Sequence, residues 1–171
     1  MKKIIFYLSF LAVAIGLISQ IEKDKEYPIY PDPELTPGAV MSVSKNEVCV
    51  PGYAKLARDV SKKDREAVFE RYGIDFNQPR GAYEVDHFIP LALGGSNAVE
   101  NLWPQPRNPE PGFPDKDKLE FYLWRFVCAD GISLDVAQEE IRADWVKAFE
   151  KYLGDKLGAL DEFEPCEEGC P

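Results

Sequence analysis

The sequence predicts an α+β fold, a small two-stranded element embedded among several helices, and three observations lead there. Gly81 to Pro90 reads as strand, carrying Tyr83, Val85 and Phe88, and the turn Gly94-Gly95-Ser96-Asn97 sends the chain back toward a second short strand, Asn101 to Gln105. Leu119, Tyr122, Leu123, Phe126 and Val127 then recur at helical spacing. The 171 residues are 45% hydrophobic, enough for one well-filled core, while 12 Gly and 14 Pro require many turns and long loops.

In chain order, Met1 to Ser19 comes first. Lys2 and Lys3 precede an apolar run from Ile4 to Ile18. That run is short of the roughly 20 residues of a membrane span and suits a secretory leader, with Ser19 as the small residue at the cut, although Leu17 stands where Ala is usual. The alternative is an uncleaved N-terminal anchor. Either way the remainder leaves the cytoplasm, so the expected location is secreted or periplasmic, or membrane-anchored through this segment. Residues 20–45, with Pro28, Pro31, Pro33 and Pro37, read as an extended Pro-rich tether.

The folded domain is expected over residues 46–154. A short helix fits Tyr53 to Val60. Ser61 can cap a helix from Lys62 to about Tyr72, burying Val68 and Phe69 and stopping at Gly73. Arg107 to Pro114 reads as loop and Asp115 to Cys128 as the strongest helix, ended by Gly131. Ser133 caps a helix through Ala137 and Ile141. Another follows from Asp144 to Tyr152, with Trp145, Phe149 and Tyr152 inward and Gly154 closing it. Residues 155–171 form an acidic, cysteine-containing tail.

Export makes Cys49, Cys128, Cys166 and Cys170 readable as disulfides. Cys49 precedes the globular body and Cys128 ends the strong helix, so the expected pairs are Cys49–Cys128 and Cys166–Cys170. A metal clip in Cys166-Glu-Glu-Gly-Cys170 is the rival, with too few ligands for a closed zinc site. The net charge of −10 excludes a histone-like coat for phosphates, and a single histidine, His87, excludes a multi-histidine zinc site.

The chemistry concentrates between Tyr83 and Asn108. Asp86 is a hard oxygen ligand at a strand end, and His87 is the one side chain whose ordinary pKa suits a general base near neutral pH. Beyond the Gly-Gly turn, Asn101 can pin a loop backbone, and Asn108 offers a neutral oxygen just before the long helix. With the histidine assigned as base and the cysteines oxidised, only oxygen ligands remain. They favour Mg²⁺, with Mn²⁺ as the alternative.

Asp86-His87, Pro90, Gly94-Gly95, Asn101-Leu102 and Asn108 together resemble the motif of the HNH nucleases of the ββα-metal superfamily. The wording from Val85 to Gln105 is similar to a subgroup of small bacterial and phage-related proteins, and the likeness extends from Cys49-Val50-Pro51-Gly52-Tyr53 to Asp144-Trp145. The resemblance implies a hairpin-plus-helix core and hydrolysis of phosphodiester bonds in nucleic acid, DNA before RNA, with no small-molecule cofactor. It implies that His87 takes a proton from water, that Asp86 and Asn108 hold one divalent cation, and that Asn101 holds the loop and orients the His87 ring. Two departures stand out: the Cys-x-x-Cys clip of many members is absent, and the prolines after Gln105 delay the helix.

Asp117 and Glu120 are therefore substitute ligands, and Lys116, Lys118 and Arg107 are candidate phosphate contacts. Trp103, near the site, is a candidate for stacking bases. The contrasting reading is a catalytically idle member of the fold that serves in the envelope as a binding or scaffolding module. The sequence is silent on an inhibitor protein.

Overall fold

The computed structural model describes residues 29–154. The leader, the first part of the tether and the acidic tail with Cys166 and Cys170 lie outside the described residues.

The predicted hairpin forms. Strand β1 (Tyr83–His87) pairs antiparallel with β2 (Leu102–Pro106), with Tyr83 opposite Pro106, Asp86 opposite Trp103 and His87 opposite Leu102. The connection folds back through two single 3-10 turns, Leu91–Leu93 and Val99–Asn101. Gly94 sits at φ +79, a left-handed conformation open to glycine. A methyl group at Gly95 would overlap the Ile89 carbonyl. The Gly-Gly pair thus lets the returning chain lie against the outgoing one.

Three helices precede the hairpin: α1 (Lys45–Val48), α2 (Tyr53–Ala57) and α3 (Lys62–Arg71). The first is absent from the sequence reading, being a single turn whose start is held by the Ser44 N–H and hydroxyl, both donating to the Glu47 carboxylate. In α3 the Ser61 hydroxyl accepts the Asp64 N–H and Val68 and Phe69 are buried, as expected.

Helix α4 (Phe113–Cys128) begins two residues before the predicted start. Proline in the first turn lacks only an N–H that has no helical partner there, so Pro114 joins the helix rather than delaying it. The Asp115 carboxylate accepts the Gly112 N–H at 3.0 Å. The two helices predicted after Ser133 form one element, α5 (Leu134–Leu153), broken at Asp144, where φ and ψ are −171° and 94°. The Asp144 carboxylate caps the second half by accepting the Lys147 N–H at 3.0 Å, so the predicted boundary survives as a kink.

Leu119, Leu123 and Val127 of α4 and Ile141, Trp145 and Leu153 of α5 are fully buried with Ile89, Leu93 and Trp103 of the hairpin region. Beyond the kink, the Tyr152 ring packs on Tyr122 and Phe126, with centroids 5.7 and 6.1 Å away. Cys49, just after α1, bonds Cys128 at the end of α4, their Cα atoms 5.6 Å apart across a sequence separation of 79. By the chain-entropy argument such a closure stabilises by roughly 4–5 kcal/mol.

The described part of the expected tether, with a turn at residues 33–35, is bound along its length. Trp145 Nε1 donates to the Ile29 carbonyl at 3.0 Å and Arg71 Nη2 to that of Leu35 at 2.8 Å. Thr36 is fully buried, its hydroxyl donating to the Leu102 carbonyl at 2.9 Å. The Gly38 N–H reaches the Glu100 carbonyl at 3.1 Å, and Val40 bridges to Gly95. Proline-rich composition suggested a spacer because this segment has no apolar periodicity; its anchorage comes mostly from backbone groups, with the Thr36 hydroxyl beside them. Among the described residues no helix is long and apolar enough to cross a membrane.

Candidate active site

The strand end of β1 delivers Glu84, Asp86 and His87, and the first turns of α4 deliver Lys116, Asp117 and Glu120. Alternation along β1 puts Glu84 and Asp86 on one face. Helical spacing puts Lys116 and Glu120 on one face of α4. Lys116 is fully buried. Its ammonium donates to Asp86 Oδ2 at 2.7 Å, to the His87 carbonyl at 2.8 Å and to Glu120 Oε1. All three of its protons are thereby used. Burial works against this charge, but Asp86 and Glu120 outweigh it and hold the Lys116 pKa above the ordinary lysine value.

One ammonium serves two carboxylates, and more carboxylates surround them. Burial, followed by Asp86 and Asp117, pushes Glu120 up against the pull of Lys116. Asp117 lies on the exposed side of α4, yet protein atoms crowding its carboxyl, with Asp86 and Glu84, push it up to about 6. Burial and Asp86 raise Glu84 as well. Asp117 and Glu120 line a cleft of about 230 Å³ with Arg58 and Phe121, floored by Leu91 and Ala92.

His87 is 2% exposed. Burial lowers its pKa to about 4, against the opposing pull of Asp86 and of its hydrogen bond to Asn97, so the ring is neutral at pH 7. Its Nε2 lies 3.1 Å from Asn97 Oδ1, and its Nδ1 is buried with no hydrogen-bond partner among the described residues.

Asn101 is fully buried and pins the connection, as the sequence suggests. Its Oδ1 accepts the Ile89 N–H at 2.8 Å, and its Nδ2 donates to the Ile89 and Ser96 carbonyls at 2.9 and 2.8 Å. Its bonds are all to backbone; the His87 ring is held by Asn97.

Other candidate residues fall differently. The register puts Asn108 beyond Pro106, at the hairpin end opposite His87, and exposed. It is therefore not brought to Asp86, because β2 runs on through Pro106 before the chain turns. Lys116 is sealed in and has no free proton for a phosphate. Lys118 is paired with Asp115 at 3.3 Å. Arg107 donates to the Gly81 carbonyl at 3.0 Å and stacks over Phe113 at 4.7 Å, also at the far end of the hairpin. Trp103 is fully buried in the core and presents no face to a base.

Sequence reasoning missed three residues of this region: Glu84, Arg58 and Asn97. Asn97 read as a turn former, and nothing in its spacing distinguishes a side chain that faces His87. The alternation of Glu84 with Asp86 was a usable signal. Among the described residues, no group of three or more His, Cys, Asp or Glu side chains is gathered to hold a metal ion. The donors near Asp86 nevertheless fit a hard cation in their chemistry. They are oxygen only, and burial first, then the neighbouring carboxylates, raises the pKa of Glu84, Asp117 and Glu120.

No protein-family model, curated protein or solved structure matches this chain.

Proposed function

We propose that the protein is an exported, divalent-metal-dependent endonuclease of HNH type that hydrolyses phosphodiester bonds in nucleic acid, DNA in the first instance. The observation that carries the reading is the state of His87: the single imidazole of the chain, neutral at pH 7, with one nitrogen held by Asn97 and the other without a partner. A neutral imidazole with a bare nitrogen is ready to accept a proton from water. A base whose pKa is about 4 is weak. The anionic phosphates of a bound strand would raise it toward the working pH.

Asp86, Asp117 and Glu120 are not gathered around one point, and they would have to draw together to hold Mg²⁺ or Mn²⁺, which when bound neutralises charge on the scissile phosphate. Arg58, in the cleft wall, is the side chain suited to a neighbouring phosphate. Export is supported by the Cys49–Cys128 disulfide, since such bonds persist in oxidising compartments. The leader reading, cleaved or retained as an anchor, remains part of the proposal.

A second reading has its own support. Lys116 already occupies Asp86 and Glu120, and Asn108 stands apart. Those features suit a catalytically idle domain that binds or scaffolds in the envelope. Incubating the purified chain with plasmid DNA and Mg²⁺ separates the two. The nuclease cleaves, stops on addition of EDTA, and falls on the order of 10²- to 10⁴-fold in His87→Ala. Intact plasmid and RNA under both Mg²⁺ and Mn²⁺ would leave the idle reading standing.

A further inference from the structure

Asn97 Oδ1 faces more than the His87 ring. The same oxygen accepts the Asp59 backbone N–H at 3.1 Å, while Nδ2 donates to the Ala57 carbonyl at 2.7 Å. An N–H can only donate and a carbonyl can only accept. These two contacts therefore agree on which end of the amide is oxygen, and they leave no freedom to exchange the ends. An oxygen held in that orientation accepts, so the His87 nitrogen 3.1 Å away must be the one that carries the proton.

We infer that Asn97 is a positioning residue that locks His87 in the tautomer protonated on Nε2, so that Nδ1 is the atom that accepts a proton. This rests on the hydrolytic reading above for its chemical use, though not for its structural content. Nδ1 is buried and lacks a partner. An unpaired buried acceptor is unfavourable unless a water molecule or a substrate group meets it. In the hydrolytic step a water O–H bond breaks and its proton passes to Nδ1. The water oxygen forms the new P–O bond, and the 3′ oxygen leaves with its bonding pair. The imidazolium so formed keeps its Nε2 proton on Asn97 Oδ1, which stabilises the charge.

The two backbone groups that orient Asn97 belong to Ala57 and Asp59, on either side of Arg58 in the cleft wall. The end of α2 and the residues just after it thus set both the tautomer of the base and the place of the cleft arginine. Asn101 does neither, since its amide is wholly engaged by Ile89 and Ser96.

The chain holds one histidine, so a protein prepared without a histidine tag gives an imidazole spectrum that belongs to His87 alone. Long-range ¹H–¹⁵N correlation on the uniformly ¹⁵N-labelled full chain at mildly alkaline pH reads the tautomer directly. The expected spectrum has Nε2 as the protonated nitrogen and Nδ1 as the bare one. In Asn97→Ala the two nitrogens should shift toward each other as the tautomers mix, with backbone amides outside the connection unmoved. Plasmid cleavage should fall in kcat by at least about tenfold with little change in KM. Asn97→Asp keeps an acceptor opposite Nε2 and should keep its proton there. A wild-type spectrum with the proton on Nδ1 overturns the inference, as does an unchanged tautomer in folded Asn97→Ala. Should Asn97→Ala not fold, the wild-type and Asn97→Asp spectra decide. If the tautomer is as stated and no nucleic acid is cleaved, the hydrolytic reading fails while the assignment of Asn97 stands.

Discussion

Asp86 and His87 are neighbours on one strand, yet they end in opposite surroundings. Asp86 joins a charged network in which a buried ammonium gives all three of its protons to acceptors. His87 is uncharged at pH 7, has one nitrogen bonded and leaves the other bare. The difference separates two kinds of buried polar group. A saturated network joins elements, here the end of β1 to the first turns of α4. A group left short of a partner keeps capacity for chemistry.

The largest expected effect lies in the saturated half. Lys116→Met leaves Asp86 and Glu120 facing each other without a counter-charge and should destabilise by about 3–5 kcal/mol in urea unfolding. An unchanged midpoint would mean that the network is solvated and the contrast with His87 unfounded.

Next comes the pH response of His87. Its folded pKa of about 4 lies below the ordinary 6.5, so the unfolded chain takes up a proton that the folded one refuses. Its contribution is fully present above about pH 6.5 and is lost as pH falls toward 4, by roughly 3 kcal/mol. Asp117 and Glu120, raised in the fold, act in the opposite sense: their protonation favours the folded state at low pH, and that benefit is lost as pH rises through their folded values. The difference between wild type and His87→Gln across pH 4–7 isolates the histidine, and parallel curves for the two would refute the shift.

Asn101→Ala removes three bonds inside the connection and should cost roughly 2–3 kcal/mol. A smaller loss, measured by thermal unfolding, would mark the loop as self-supporting. Asp144→Ala removes the cap on the Lys147 N–H together with an exposed bond from the Tyr30 hydroxyl and an exposed pair with the Lys147 ammonium, and should cost only about 1 kcal/mol in the same measurement.

What was legible in the sequence divides along similar lines. Period and punctuation revealed the hairpin, α3, α4 and the boundary inside α5, because Val68, Leu119, Leu123 and Trp145 each declare a buried face on their own element. The disulfide was legible because Cys49 precedes the body and Cys128 ends the strong helix. Lys116 was misread because a lysine on a helix resembles a surface charge until its partners, thirty residues earlier on β1, are known. Asn97 was missed for a similar reason: its three contacts come from His87, from the last residue of α2 and from Asp59 just beyond it. Asn108 was placed by proximity to the helix in sequence, whereas strand register decides its location. The strap of residues 29–44 was hidden because its attachments are mostly backbone groups, which leave no mark on the sequence.

The bridge between Cys49 and Cys128 also has a topological consequence. It closes residues 49–128 into a covalent ring that contains the hairpin, Asn97, Arg58 and all of α4. A protease that nicks the exposed stretch 107–110 opens this ring without shedding a fragment. Nicked protein should therefore run as one species on a non-reducing gel and as two after thiol treatment, with the pieces that carry His87 and Lys116 parting only then.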